Sequence, residues 1–195
     1  MPDRAEARSI SVEEYLAGEA VAVVRHEYIA GEVFAMAGAT EEHATIALNL
    51  AALLRAHVRG SPCRVYIADM KLRVEPASAF FYPDVFVTCD ARDAAEPLGK
   101  RHPRVIIEVL SESNEGYDRG AKFADYRRLD TLEEYVLIDS RRRACEVFRR
   151  RPEGWLLDAP PENGRLVLRS IDFECSLEAI YEDVVFASPG ATDAA

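Results

Sequence analysis

Two carboxylates stand where burial makes them costly. Glu108 lies inside the run Val105-Ile-Ile-Glu-Val-Leu110, and Asp84 follows Pro83 with Phe81, Tyr82, Val85, Phe86 and Val87 around it. A carboxylate on a dry strand is unfavourable unless it is paired or binds a cation. If the two runs are neighbouring strands, both acids can project from one face. Such a pair suits a hard divalent cation held through oxygen, which offsets the repulsion between them. Lys122 lies one helical turn beyond Asp118 and can reach back over the end of the Glu108 strand. Plainer readings exist for each residue alone: a turn cap for Asp84, an ion pair with Arg101 or Arg104 for Glu108, and an i,i+4 pair with Asp118 for Lys122.

Four further features are auxiliary. Glu27 and Glu32 fall on a predicted hairpin, where Glu32 reads as an exposed strand residue and Glu27 as a site candidate. His43 shares a helical face with Ala47, Leu50 and Leu54, a position that fits packing as well as a ligand or base. Asp69 opens a strand with Lys71 and Arg73 on one side, which fits an ion pair or turn as well as a site. Arg141, Arg142, Arg143, Arg149, Arg150 and Arg151 bracket one strand, as either a solvated hairpin rim or a phosphate-contacting edge would.

The elements that must position these residues follow from periodicity. Ser11-Val-Glu-Glu14 fits a capping box and predicts a short helix to about Gly18. Glu27 to Met36 reads as two strands about Ala30-Gly31, a hairpin. Ile46, Leu50, Leu53 and Leu54 recur at helical spacing and predict a long helix over 41–58. Strand-like runs follow at 63–67, 70–74, 80–88 and 104–110, the last buried on both faces. After a polar loop at 111–117, Asp118 is expected to cap a helix running to Leu129. Strands at 134–139, 144–149, 155–157 and 165–169 come next, and Ser176 caps a last short helix. This order predicts an α+β architecture with a mixed central sheet. The expected organisation is a disordered lead (1–9), one domain (10–186) and a disordered tail (187–195).

Composition restricts the alternatives. With 49% hydrophobic and 30% charged residues, the chain has the profile of a soluble globular protein. No apolar run approaches the roughly 20 residues of a membrane span, and the polar start lacks a secretory pattern, so a cytoplasmic address is expected. The scattered Cys63, Cys89, Cys145 and Cys175 predict reduced, mostly buried thiols and no zinc knuckle. The net charge of −10 argues against nucleic acid as a partner, but residues 100–151 carry 13 bases against 10 acids, and phosphate affinity depends on local charge. No Gly-rich phosphate loop is present, which argues against a nucleotide cofactor or a kinase.

Tyr82-Pro-Asp84, Glu108-Val-Leu-Ser111 and Asp118-Arg-Gly-Ala-Lys122 together resemble the PD-(D/E)XK nuclease superfamily, and within it the Uma-two family of restriction-endonuclease-like proteins. HEYIAGEVFAMAG, the 43–54 helix, CRVYIADMKLRV, DRGAKFADYRRL and LEEYVLID extend the likeness over roughly residues 10–185. One departure matters. The superfamily pattern places lysine two residues after the second acid, here Leu110, which leaves Lys122 as the migrated lysine.

The resemblance implies a restriction-endonuclease-like mixed central sheet flanked by helices. It also implies Mg²⁺-dependent hydrolysis of DNA phosphodiesters, with Mn²⁺ a possible substitute. Asp84, Glu108 and the Val109 carbonyl would hold the metal, and Lys122 would orient water or stabilise developing charge. A homodimer is compatible with cutting two strands. The competing expectation is a catalytically idle nucleic-acid-binding or protein-interaction module of the same fold.

Overall fold

The computed structural model describes residues 9–36, 38–161 and 163–186; most of the expected lead and all of the expected tail lie outside these. The N-terminal helix α1 (Val12–Glu19) starts at Ser11, whose hydroxyl accepts from the Glu14 amide while the Glu14 carboxylate accepts from the Ser11 amide. β1 (His26–Ile29) and β2 (Glu32–Ala35) form the hairpin. Its turn has φ of 47° at Ala30 and 99° at Gly31, the left-handed pair that matches strand twist. The helix α2 (Glu41–His57) follows, capped by Thr40.

The next strands are β3 (Arg64–Ile67), β4 (Leu72–Val74), β5 (Ala79–Phe81) and β6 (Val85–Thr88), and then, after the short helix α3 (Ala91–Ala94), β7 (Pro103–Leu110). The single strand expected over 80–88 is therefore two. β5 joins a four-stranded sheet in the order β2-β1-β5-β4, whereas β6 joins the six-stranded sheet. Proline has no amide hydrogen to donate to a ladder, and the Tyr82-Pro83-Asp84 segment is where the chain passes between the sheets.

The helical segment after β7 also differs from expectation. It starts at Glu115, not at Asp118. It comprises α4 (Glu115–Tyr117), a π-helical turn (Asp118–Lys122) and α5 (Phe123–Tyr126). Asp118 is buried within it and is not an N-cap. β8 (Glu134–Asp139), β9 (Cys145–Arg151) and β10 (Gly154–Asp158) complete the central sheet, ordered β10-β9-β8-β7-β6-β3. Only the β7–β8 pair is parallel, so the sheet is mixed. β11 (Arg165–Leu168) pairs with β12 (Phe173–Ser176), a strand the periodicity did not reveal, before α6 (Leu177–Ile180).

The period-2 alternation of β7 divides the core. Val105, Ile107 and Val109 face Ile46, Leu50 and Leu54 of α2, together with Leu166, Leu168 and Leu177. Ile106 and Leu110 face Phe123, Tyr126, Tyr135 and Leu137. Glu108 shares their parity and so turns toward the 115–126 helix. Among the described residues, no helix is long and apolar enough to cross a membrane.

The cysteines correct the expectation of free thiols. Cys63, just before β3, and Cys89, just after β6, form a disulfide. The antiparallel pairing of Arg64 with Thr88 brings them together, a proximity their separation in sequence conceals. Cys145 and Cys175 are free and buried.

Candidate active site

Register places the two acids. Val85 is opposite Ile107 in the antiparallel β6–β7 pair, so Asp84, one residue earlier, comes level with Glu108. The Asp84 amide donates to Glu108 Oε2 at 3.3 Å, and the Val109 amide donates to Asp84 Oδ2 at 2.7 Å. His43, in the first turn of α2, brings Nε2 to 2.9 Å from Asp84 Oδ1. Burial acts to lower the imidazole pKa, but its hydrogen bond to Asp84 and that carboxylate's charge outweigh burial and raise it. Glu108 is 2% exposed and accepts from the Tyr126 hydroxyl at 2.8 Å.

The helix after β7 supplies the cation. Lys122 Nζ lies 3.0 Å from Glu27 Oε1, 3.1 Å from Glu108 Oε1 and 3.5 Å from Asp118 Oδ1. The contact to Glu27 is an ion pair without hydrogen-bond geometry. Burial acts to lower the ammonium pKa, yet the surrounding carboxylates raise it well above the usual lysine value. Four carboxylates thus share one lysine and one histidine, so negative charge is in excess. Burial, reinforced by Asp118, Asp84 and Glu27 and opposed by Lys122, pushes the Glu108 carboxyl well above the ordinary range. Burial likewise raises Asp118 to about 6, with Lys122 opposing and Asp84 and Glu27 adding to the rise.

The sequence candidates separate clearly. Asp84, Glu108, Lys122, Glu27 and His43 come together. Asp69 does not: it lies between β3 and β4, its side chain is 82% exposed, and it pairs with Arg25 at 3.3 Å. Glu108 pairs with neither Arg101 nor Arg104, which bind Glu75 and Glu133. The Val109 carbonyl accepts from Asn114 Nδ2 at 3.3 Å.

Several of the arginines are engaged within the fold. Arg141 and Arg142 pair with Asp139, and Arg141 also with Glu115. Arg149 is buried and binds Glu134, Asp158 and the Val167 carbonyl. Arg150 binds the carbonyls of Leu132, Leu129 and Arg127. Arg143 and Arg151 are exposed.

Three contributors were missed as site residues. Asp118 reads in sequence as a helix cap, although its i,i+4 spacing to Lys122 was visible. Tyr126 looks like one more core aromatic. Glu19, the last residue of α1, is 3% exposed and accepts from the Tyr82 hydroxyl at 2.7 Å, the His26 amide at 3.1 Å and His26 Nδ1 at 3.1 Å. It thereby ties the residue preceding Glu27 to the segment that carries Asp84.

The donor set has the chemistry of a divalent-cation site: hard carboxylate oxygens, an excess of negative charge and, among the described residues, two buried carboxylate oxygens, Glu27 Oε1 and Asp118 Oδ2, with no hydrogen-bond partner. Among the described residues, no three His, Cys, Asp or Glu side chains are already gathered as a metal cage. The Lys122 ammonium stands among three of the carboxylates instead.

Known proteins share both sequence and fold with this chain. The family model "Uma2: Putative restriction endonuclease" matches residues 12–179. "Uncharacterized protein slr1290" of Synechocystis sp. (strain ATCC 27184 / PCC 6803 / Kazusa) is 34% identical over 178 residues, which are 91% of this chain and 94% of that protein. A second protein of the same organism, "Uncharacterized protein sll1609", is 34% identical over 137 residues, 69% of this chain and 77% of its own length. The crystal structure of "a putative nuclease belonging to DUF820 from Anabaena variabilis ATCC 29413" superposes with a TM-score of 0.72 at 16% identity, covering 90% of this chain and 99% of that one. That likeness establishes a shared fold, a mixed α+β arrangement of sheets flanked by helices. The restriction-endonuclease-like family to which the model points generally uses divalent metals and acts on nucleic acid. The chain is a member of the Uma2 family.

Proposed function

We propose that this chain is a Mg²⁺-dependent endonuclease that hydrolyses DNA phosphodiesters. The observation that carries the reading is the convergence of Asp84, Glu108 and Lys122 at one buried point. Asp84, Glu108 and the Val109 carbonyl would hold the cation, with Mn²⁺ as an alternative. The bound cation supplies Lewis acidity toward the scissile phosphate. The chain's own groups do the rest. His43 and the Val109 amide fix the Asp84 carboxylate, and the Tyr126 hydroxyl fixes Glu108. Lys122, kept charged by its neighbours, meets the negative charge that grows on phosphate oxygen as water attacks phosphorus and the P–O bond to the leaving sugar oxygen breaks. One chain contributes one such cluster, so cleavage of both strands would call for a second copy or a second encounter.

The test is cleavage of plasmid, linear and single-stranded DNA with Mg²⁺ or Mn²⁺ by the wild type, Asp84→Asn, Glu108→Gln and Lys122→Met. Each variant is expected to lose about 100-fold or more in rate, and the first two to lose Mn²⁺ affinity in calorimetry. Unchanged Mn²⁺ affinity in both carboxylate variants would refute the metal assignment. An inactive wild type that still binds DNA would instead identify an idle nucleic-acid-binding module, a reading favoured by the Lys122 ammonium standing among three of the carboxylates.

A further inference from the structure

A second cluster lies at the other end of the central sheet. Glu134 is opposite Val105 at the start of the parallel β7–β8 pair, about 10 Å along the strands from Glu108. Beside it is a pocket of about 380 Å³ lined by Arg149, Arg150, Arg151 and Arg169, with Glu133 and Glu134 as the carboxylates in its wall. Both acids are already matched. Glu134 accepts from Arg149 and from the Arg169 amide, the Ser170 amide and the Ser170 hydroxyl, and Glu133 pairs with Arg104 at 3.1 Å.

The remaining arginines have no such match. Among the described residues Arg150 binds only backbone carbonyls and stacks 4.7 Å over the Trp155 ring, so there no carboxylate neutralises it and its Nη1 meets no acceptor. Arg151 and Arg169 are exposed, and among the described residues their guanidinium groups meet no partner. Elsewhere this acidic chain matches most of its described arginines to acids, as in Arg25 with Asp69, Arg101 with Glu75 and Arg119 with Glu146. Among the described residues Arg55, Arg59, Arg64, Arg127 and Arg143 also lack an acid partner, but here three such arginines line one pocket. Arg150 is also pre-organised by its three backbone contacts, which reduces the entropy lost on binding.

We propose that Arg150, Arg151 and Arg169 form a phosphate-group binding site, separate from the carboxylate cluster and independent of it. Planar guanidinium forks match the oxygens of a phosphate, and bidentate contacts of this kind are the strong ones. The phosphate comes either from a free di- or triphosphate or from a nucleic-acid backbone.

The site is tested by calorimetry in EDTA, with sodium pyrophosphate in one arm and a 20-base-pair DNA duplex in the other. The comparison is between the wild type, an Arg151→Ala/Arg169→Ala double variant and an Arg143→Ala control. The double variant removes two partnerless exposed side chains, and its melting temperature reports that the fold is kept. Saturable binding by the wild type, weakened at least tenfold in the double variant and unaltered in the control, is the expected result. If only pyrophosphate behaves this way, the source is a small phosphate; if the duplex does, it is a nucleic-acid backbone. The proposal is overturned if the wild type binds neither probe, if the double variant binds as the wild type does, or if the control loses as much as the double variant.

Discussion

At the scale of the residue, the cluster is held by unequal partners. Asp84 is fixed on three sides, by His43, by the Val109 amide and by the Glu108 carboxylate that accepts from its own amide. Asp118 is buried with one oxygen unpartnered, and its stability consequence has a definite sign. Its carboxyl titrates near 6 in the fold, chiefly because of burial, and at about 3.9 in an unfolded chain. The folded state therefore binds the proton more tightly. The group's contribution is complete below about pH 4 and is lost as pH rises through 6. Asp118→Asn is neutral throughout, so in EDTA it should melt above the wild type at pH 8, and the gap should close toward pH 4. Thermal denaturation at the two pH values measures this. A variant that melts lower at pH 8 would mean that the Lys122 pairing outweighs desolvation.

The site was partly legible at this scale. Asp84 and Glu108 announce themselves because acids in apolar runs are expensive. Glu27 and His43 lie in recognisable blocks, but His43 carries an equally good packing reading. The role of Asp118 was hidden because the burial of a helical residue is decided by what the helix packs against, and an i,i+4 acid–lysine pair looks the same on a solvated face.

At the scale of the element, the site depends on a junction between sheets. Glu27 comes from the four-stranded sheet, Glu108 from the six-stranded one, and Asp84 from the segment that joins them. Periodicity found most elements because it reports burial on one face. It ran β5 and β6 together because the apolar character continues across Tyr82-Pro83-Asp84 although the partner strands change. It also started the post-β7 helix too late, since the polar residues at 115–117 look like loop when the π-helical turn behind them is unseen. Glu19 secures the junction from outside the cluster. Its carboxyl is held below the ordinary range because three hydrogen bonds outweigh the cost of burial. Glu19→Ala leaves the Tyr82 hydroxyl and the His26 amide without their acceptor, which should cost about 2–4 kcal/mol in urea denaturation. Glu19→Gln, which keeps an acceptor oxygen, should recover part of that loss and of any Mn²⁺ affinity lost with it. Equal stability of Glu19→Ala and the wild type would show that Glu19 does not bind the two segments together.

At the scale of the whole molecule, charge and covalent linkage are organised differently from what a linear reading suggests. The basic middle segment reads as either a solvated rim or a phosphate-contacting edge, but strand pairing turns Arg149 inward onto Glu134, and the β8–β9 turn ties Arg141 and Arg142 to Asp139. Arg149 finds its partners 9 and 15 residues away, and Arg141 and Arg142 find theirs only when the turn folds back on Asp139, so composition cannot foresee them. The disulfide is similar. β3 is the edge of the six-stranded sheet and pairs only with β6, and Cys63 and Cys89, separated by 26 residues, close a loop that contains β4, β5 and Asp84. Restricting a loop of that length in the unfolded chain is worth about 3 kcal/mol on the chain-entropy account. For a protein of this size that corresponds to roughly 6–12 °C in melting temperature. Cys63→Ser/Cys89→Ser and wild type treated with a phosphine reductant should both melt lower than the oxidised protein, and by the same amount, because each loses the same crosslink. Cys145→Ser should leave the effect of the reductant intact, since that thiol is free and buried. If the reductant leaves the wild-type melting temperature unchanged, the edge strand is secured by its backbone ladder and α2 packing alone, and the crosslink contributes nothing to the fold.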